Sequence, residues 1–291
     1  MFSIPYANEK ENSPLFYKQC EQETNLPFLG VEYLYWKAQS GGFVSGTILE
    51  ETSPNSLKTR PLQPEFIWDS GFKISLGWGI PYDSWSVAPC YTYFRTQVST
   101  HFNAEGNEAI AGYWTLTDEL ASSGTSSWKF HEDLVDVVLG KSHLIGKSCF
   151  ITPYIGGRYG WLNQNFGSNL FSTTSDLGFP SLFSATQKFH GGGPLLGISS
   201  DWAMGKNFSF LSKIATSLLY GTVKIDESLS EVVNMDFDIT TRVLTYTQNN
   251  QEQIPNLQLL LGASWGMCVS KTATIGLSLG WEVNYWWNQY L

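Results

Sequence analysis

The chain has 291 residues, a formal net charge of -9, 42% hydrophobic residues and only 15% charged residues, against roughly 25% charged in an ordinary soluble domain. This composition argues against intrinsic disorder, which needs low hydrophobicity and high charge. It also argues against a nucleic-acid partner, because 17 Lys and Arg residues face 26 Asp and Glu residues and form no basic cluster along the sequence.

Membrane insertion, if it occurs, has to use strands. No stretch approaches the roughly 18 consecutive apolar residues that predict a transmembrane helix, and a closed barrel is the other way to satisfy the backbone in lipid. Residues 1–27 lack the basic start and apolar centre of a signal peptide. We interpret them as an N-terminal extension, a possible remnant of a signal region, and assign residues 28–291 to the barrel.

Alternation of apolar with small or polar residues is the main structural signal. In Phe66–Gly79, for example, Phe72, Ile74 and Leu76 share one face while Lys73 and several glycines share the other. This period of two is the period of a β-strand. It predicts nine strands, in chain order Phe28–Ala38, Phe66–Gly79, Trp85–Gln97, Leu134–Lys141, Cys149–Leu162, Phe189–Trp202, Phe208–Val223, Leu257–Met267 and Thr272–Trp287.

The connections alternate in length. Short turns are predicted at Ile80–Ser84, His143–Ser148, Ala203–Asn207 and Val269–Lys271, and long polar links at Gln39–Glu65, Val98–Ser127, Asn163–Gln187 and Lys224–Asn256. Short turns at one end and long loops at the other are typical of bacterial outer-membrane barrels. A soluble β-sandwich also alternates, but its strands are shorter and its outer face carries more charge. The expected fold is therefore all-β, an antiparallel transmembrane β-barrel.

Aromatic residues at the strand ends agree with this fold. They predict two girdles at the levels of the lipid headgroups. The girdle residues are Trp68, Tyr93, Trp161, Tyr220 and Trp287 at the long-loop end, and Trp78, Trp85 and Trp202 at the short-turn end.

The strand count is odd, whereas single-chain bacterial barrels have an even number. About ten strands are expected. We interpret the chain as lacking its last strand, and Val232–Thr247 is a weaker candidate for the missing one because its alternation is poorer.

Charged residues on the small-residue face are the candidate functional side chains. The alternation directs eight of them into the lumen: Glu32, Asp69, Lys73, Asp136, Arg158, Asp201, Lys213 and Glu282. Such charges must pair or contact water. They either line a water-filled eyelet, where the excess of acids favours cations, or form a salt-bridge network that plugs the barrel.

Two motifs resemble enzyme sites but are weak evidence for catalysis. His190–Gly193 resembles an oxyanion-hole motif and Gly276–Gly280 matches G-x-S-x-G, but the latter needs a strand-to-helix turn and a later His, and no His follows His190. His131, Glu132 and Asp133 are predicted to lie together at the barrel rim, where a His–Asp pair could activate water, although no complete catalytic set accompanies them. The four cysteines are far apart and form no C-x-x-C pair, so they favour neither a metal site nor a disulfide framework.

Six stretches carry a family resemblance: Gly30–Gly46, Phe66–Trp85, Asp133–Phe166, Phe189–Trp202, Ser217–Gly221 and Gly276–Gln289. In order and spacing they resemble the pore-forming outer-membrane family typified by the Legionella major outer-membrane protein, with chlamydial relatives. The resemblance implies a β-barrel porin in the bacterial outer membrane, with Asp136, Arg158 and Glu282 as recurrent inward charges. Family members continue into a final strand after the W-x-N-Q segment, here Trp286–Gln289, whereas this chain stops.

The expected function is a passive channel for small hydrophilic solutes or ions. It needs no cofactor or metal, its partners are outer-membrane lipid and the solutes, and it is not an enzyme. The alternatives are a plugged structural or adhesion barrel that acts through its long surface loops and, less favoured, a rim hydrolase using His131 or His190.

Overall fold

The computed structural model describes residues 27–53, 56–80, 85–115, 120–172, 180–205, 207–235, 238–270 and 273–287. The predictions for the N-terminal extension before residue 27 and for the chain end after residue 287 lie outside these residues. No helix in the described ranges is long and apolar enough to cross a membrane.

Fourteen strands are described. They are β1 (Phe28–Lys37), β2 (Gly46–Ser53), β3 (Ser56–Leu62), β4 (Trp68–Gly79), β5 (Trp85–Asn103), β6 (Glu108–Gly112), β7 (Leu120–Ala121), β8 (Ser123–Lys141), β9 (His143–Ile145), β10 (Cys149–Phe171), β11 (Pro180–Gly205), β12 (Phe208–Met235), β13 (Asp238–Ser270) and β14 (Ala273–Trp286).

Nine long strands form one antiparallel sheet in the order β1-β4-β5-β8-β10-β11-β12-β13-β14, and the short β9 pairs with β10. This confirms the all-β antiparallel class, and each predicted strand coincides with one strand of the sheet. The sheet curls strongly, because Lys73 Nζ on β4 lies 3.1 Å from Glu282 Oε1 on β14 at the opposite end of the strand order. Among the described residues β1 and β14 share no ladder, so a seam separates these two edges.

The predicted long links are wrong in three places, where the structure continues the strands. The strands β12 and β13 contain 28 and 33 residues. At roughly 3.3 Å per residue, β13 is about 110 Å long, several times the apolar band of about 25 Å. Residues 240–247 of β13 are exposed on both faces, so their sequence lacks apolar alternation. Ladder hydrogen bonds hold them in strand form instead.

Val232–Thr247 is not a tenth barrel strand. It contains the end of β12 and the start of β13, and Val232 pairs with Thr241 across the hairpin. The polar residues of this segment pair with one another beyond the barrel instead of crossing the membrane. The exposure of residues 240–247 on both faces accounts for the poor alternation of this part of the segment.

A second sheet lies at the long-loop end, with strand order β3-β2-β6-β7. Its strands come from the two predicted links between residues 39 and 127. An apolar cluster joins this cap sheet to the barrel strands: Ile48, Leu62, Phe102, Ile110, Ala121 and Leu170. The cap sheet is thus anchored on β5 and β10.

The two faces of the barrel strands differ as their sequence predicts. Outward side chains are large, apolar and exposed, with Leu279 on β14 at 83% exposure. Inward side chains include buried apolar residues that fill part of the lumen. Trp128 and Phe166 lie in one such cluster with Phe43, and Leu219 lies in another with Ile254.

Candidate functional site

A buried arginine organises the polar side of the lumen. Arg158 on β10 faces inward and is 3% exposed. Its Nε and Nη2 atoms each donate a 2.7 Å hydrogen bond to Asp136, the residue directly opposite on β8. Its Nη1 donates to Asn256 Oδ1 at 2.6 Å and its Nη2 also donates to Gln258 Oε1 at 3.3 Å, both on β13. The guanidinium therefore links three strands, with a charge-assisted bidentate pair at its centre.

The network continues across the seam through Glu282 on β14. Gln258 Nε2 donates to Glu282. Lys73 Nζ on β4 donates to both carboxylate oxygens of Glu282, at 3.1 and 3.2 Å. Glu32 on β1 lies 3.9 Å from the same ammonium, and the Trp36 ring centroid lies 5.7 Å from it. One cation thus connects the first and last strands of the sheet.

A second branch ends at Glu132 on β8, which is 2% exposed. Trp286 Nε1 donates to Glu132 Oε2 at 3.0 Å, and Asn284 Nδ2 donates to Oε1 at 3.3 Å. Asn284 accepts in turn from Asn256 Nδ2 at 2.6 Å. Sequence reasoning grouped Glu132 with the rim residues His131 and Asp133. The alternation of β8 could have revealed this position. His131 and Asp133 face outward, so Glu132 between them faces inward.

Five of the eight predicted lumen charges are joined by these contacts: Glu32, Lys73, Asp136, Arg158 and Glu282. The other three also lie on the inward face. Asp201 contacts the Ser209 side chain near the short-turn end. Lys213 places its ammonium 5.8 Å from the Tyr154 ring centroid, and Asp69 lies opposite Trp36 near the long-loop end of β4.

A cavity of about 1990 Å³ runs along the seam. It extends from Asn207 at the short-turn end to Gly41 at the long-loop end, and the edges of β1 and β14 form two of its walls. Four acids line it: Glu32, Glu132, Asp201 and Glu282. Lys73, Arg158 and Lys213 are absent from its described lining. Lys37 at the end of β1 is the one basic residue in this described lining, so acids outnumber bases there by four to one.

The predicted girdle residues all point away from the lumen. The residues that the structure leaves most exposed among them are Trp68, Trp78, Trp161, Trp202, Tyr220 and Trp287, while Trp85 and Tyr93 are half-buried among their neighbours. Trp68 is the first residue of β4 and Trp78 is the last but one. Ten residues along a strand tilted by about 40° correspond to a height of about 25 Å, which is the thickness of the apolar band.

The enzyme-like motifs lie in uninterrupted strands. His190–Gly193 is part of β11 and Gly276–Gly280 is part of β14, so Ser278 does not sit at a strand-to-helix turn. His131 Nε2 lies 3.0 Å from Asp133 Oδ2, but on the outward face. The Tyr93 ring packs edge-on against His131, and the Tyr91 hydroxyl donates to Asp133. Cys90 and Cys149 are free thiols.

A curled antiparallel sheet, an apolar exterior between aromatic ends and a charged interior define an outer-membrane β-barrel protein. A family model described as Legionella pneumophila major outer membrane protein precursor matches residues 20–290. The chain belongs to this family and is a bacterial outer-membrane protein. Neither a curated protein nor a solved structure matches it significantly.

Proposed function

We propose that the protein is a passive diffusion channel for small hydrophilic solutes, with a preference for cations. The cavity along the seam carries this proposal, because it extends from the short-turn end to the long-loop end and passes Glu282 on the way. Such a channel has no reaction to catalyse and needs no bound cofactor. Its partners are the surrounding lipid and the permeating solutes.

The charge pattern of the cavity supports cation preference. Glu32, Glu132, Asp201 and Glu282 line it, and rings of acidic side chains select cations in channels. Lys73 and Arg158 hold their charges against carboxylates or amides behind this lining. The cations thus fix the acids in place without forming the surface that a solute meets.

The Arg158 network acts as an inner wall in this proposal. Its hydrogen bonds run from β8 and β10 across the lumen to β13. The apolar cluster around Leu219 fills the space next to it. The solute path is thereby confined to the seam side, between β1, β14 and this wall.

The second candidate is a closed scaffold that acts through its surface loops. The observation that favours it is the filled interior, where Trp128, Phe166 and Phe43 pack together below the cap sheet. Side chains fill the interior of small barrels in the same way. The anchored cap sheet would then be the functional surface.

Single-channel conductance of the refolded full chain in a planar bilayer separates the two. The channel proposal expects stable conductance steps with cations favoured over anions. The double variant Glu32→Gln/Asp201→Asn is expected to lower the cation-to-anion permeability ratio at least twofold. Glu50→Gln is the matched control, because Glu50 lies on the cap sheet and contacts Lys58 at 3.4 Å. A folded, inserted protein that stays electrically silent would overturn the channel and favour the scaffold.

A further inference from the structure

Basic side chains form a row on the lipid-facing surface of the barrel. Arg95 on β5 pairs with His131 on β8, and Lys188 on β11 pairs with Lys224 on β12. Asn163 on β10 pairs with both His131 and Lys188. Five neighbouring strands thus contribute one residue each to a single row. At about 4.8 Å between strands, the row is about 19 Å wide.

Two further lysines extend this basic row. Lys129 on β8 lies opposite Gln97 on β5. Gln97 is two residues from Arg95 along β5, so Lys129 lies on the same face as the row. Lys37 lies opposite the girdle residue Trp68 at the end of β1. We use the name basic row for Lys37, Arg95, Lys129, His131, Lys188 and Lys224.

The basic row keeps a net positive charge. Asp133 lies 3.0 Å from His131, and Asp226 lies 2.9 Å from Lys224. The hydrogen bonds from Lys224 and Thr247 lower the pKa of the Asp226 carboxyl, so it stays ionised. Five Lys and Arg side chains therefore face these two carboxylates. Within the described ranges, Lys37, Arg95, Lys129 and Lys188 form no ion pair.

Direct opposition of like charges across strands is destabilising. Lys188 and Lys224 face each other in this way, on an exposed surface. The Asp226 carboxylate, 2.9 Å from Lys224 Nζ, offsets part of this repulsion, and an anion that bridges both ammonium groups offsets the rest. Phosphate oxygens are such an anion, since they accept charge-assisted hydrogen bonds from both Lys and Arg.

The height of the basic row identifies the source of the phosphate. The row lies immediately beyond Trp161, which pairs with His190, and beyond Tyr93. Aromatic girdles mark the headgroup level, and the long-loop end of such a barrel faces the outside. The row is thus at the headgroups of the outer leaflet.

From this position and charge we propose that the basic row binds the phosphate groups of a phosphorylated glycolipid in the outer leaflet. The lipid is held from outside the barrel, with its acyl chains along the apolar wall and its phosphates on the row. This site does not depend on whether the lumen conducts.

The test measures binding of purified bisphosphorylated lipid A to the full chain in detergent by native mass spectrometry. The variant Arg95→Gln/Lys129→Gln/Lys188→Gln/Lys224→Gln is expected to bind at least tenfold more weakly. Lys58→Gln/Arg60→Gln on the cap sheet is the matched control and is expected to bind like the wild type. Binding is also expected to weaken as salt rises, because surface charges are screened.

Two further arms identify the ligand chemistry. Enzymatically dephosphorylated lipid A is expected to lose most of the binding, and inorganic phosphate at millimolar concentration is expected not to compete. Equal binding of the dephosphorylated lipid, full competition by inorganic phosphate, or unchanged binding by the quadruple variant would each overturn the proposal. The single variant Lys188→Glu serves if the quadruple variant does not fold, and it is expected to weaken binding at least threefold.

Discussion

Arg158 and Asp136 face each other directly across β10 and β8 and are joined by two parallel hydrogen bonds of 2.7 Å. The carboxylate comes from the strand that precedes the arginine in the sheet, and the two amide acceptors come from β13. This pair therefore connects adjacent strands along the wall and distant strands across the lumen.

Removing one partner of this pair is expected to be costly. Arg158→Gln leaves Asp136 as a buried charge without its main donor, so we expect a loss of about 3–5 kcal/mol in the free energy of unfolding. Urea unfolding followed by tryptophan fluorescence measures it. The double variant Arg158→Gln/Asp136→Asn is expected to lose less than the sum of the single losses. Strict additivity would show that the pair is not energetically coupled.

Lys73 is the counter-charge of two of the four acids that line the cavity, Glu282 and Glu32. In Lys73→Gln, Glu282 and Glu32 lose their shared counter-charge, so the cation-to-anion permeability ratio in bilayers is expected to rise at least twofold. Lys147→Gln, a substitution at the short-turn end, is the control and is expected to leave the ratio unchanged. A lower ratio in Lys73→Gln would contradict the assignment of these acids to the solute path.

The Trp286 indole supplies a donor to buried Glu132. Trp286→Phe keeps an aromatic side chain but removes the N–H donor, so we expect a loss of about 1–3 kcal/mol in the free energy of unfolding. Trp287→Phe changes an outward indole that packs on Tyr285 and is the matched substitution. The midpoint of thermal unfolding is measured from the change in electrophoretic mobility of samples heated to increasing temperatures. It should fall only for Trp286→Phe. Equal shifts for the two variants would argue against a special role for the Glu132 contact.

The cap sheet is expected to unfold locally when a side chain of the apolar cluster that joins it to the barrel is shortened. Ile110 is 0% exposed, whereas Leu57 on the same sheet is 64% exposed. Ile110→Ala removes buried methyl groups and is expected to cost about 2–5 kcal/mol, while Leu57→Ala is expected to cost little. Hydrogen exchange should speed up in β2, β3, β6 and β7 of Ile110→Ala and stay unchanged in β10. Faster exchange throughout the barrel would instead show that the cap and the barrel unfold as one unit.

Sequence periodicity was a reliable guide wherever one face of a strand meets lipid. In β4, Lys73 follows Phe72 and precedes Ile74, and this contrast alone predicts which side chain points inward. Where both faces are exposed, as in residues 240–247 of β13, the contrast vanishes, so this part of the strand resembles a polar loop in sequence. Backbone hydrogen bonds to the neighbouring strands extend β12 and β13. The periodicity of one segment does not show which other segment it pairs with.

Inward or outward placement of charged residues in the lipid-facing parts of the strands, such as Lys73, was thus determined by the sequence itself, because side chains alternate with a period of two. Which charges meet was decided by register and curvature. Register sets Asp136 opposite Arg158, and curling of the sheet brings Lys73 to Glu282 across 209 positions of the chain. The basic row has the same origin: Arg95, Lys188 and Lys224 form no cluster in the sequence, and the register of five neighbouring antiparallel strands places them side by side on one lipid-facing surface.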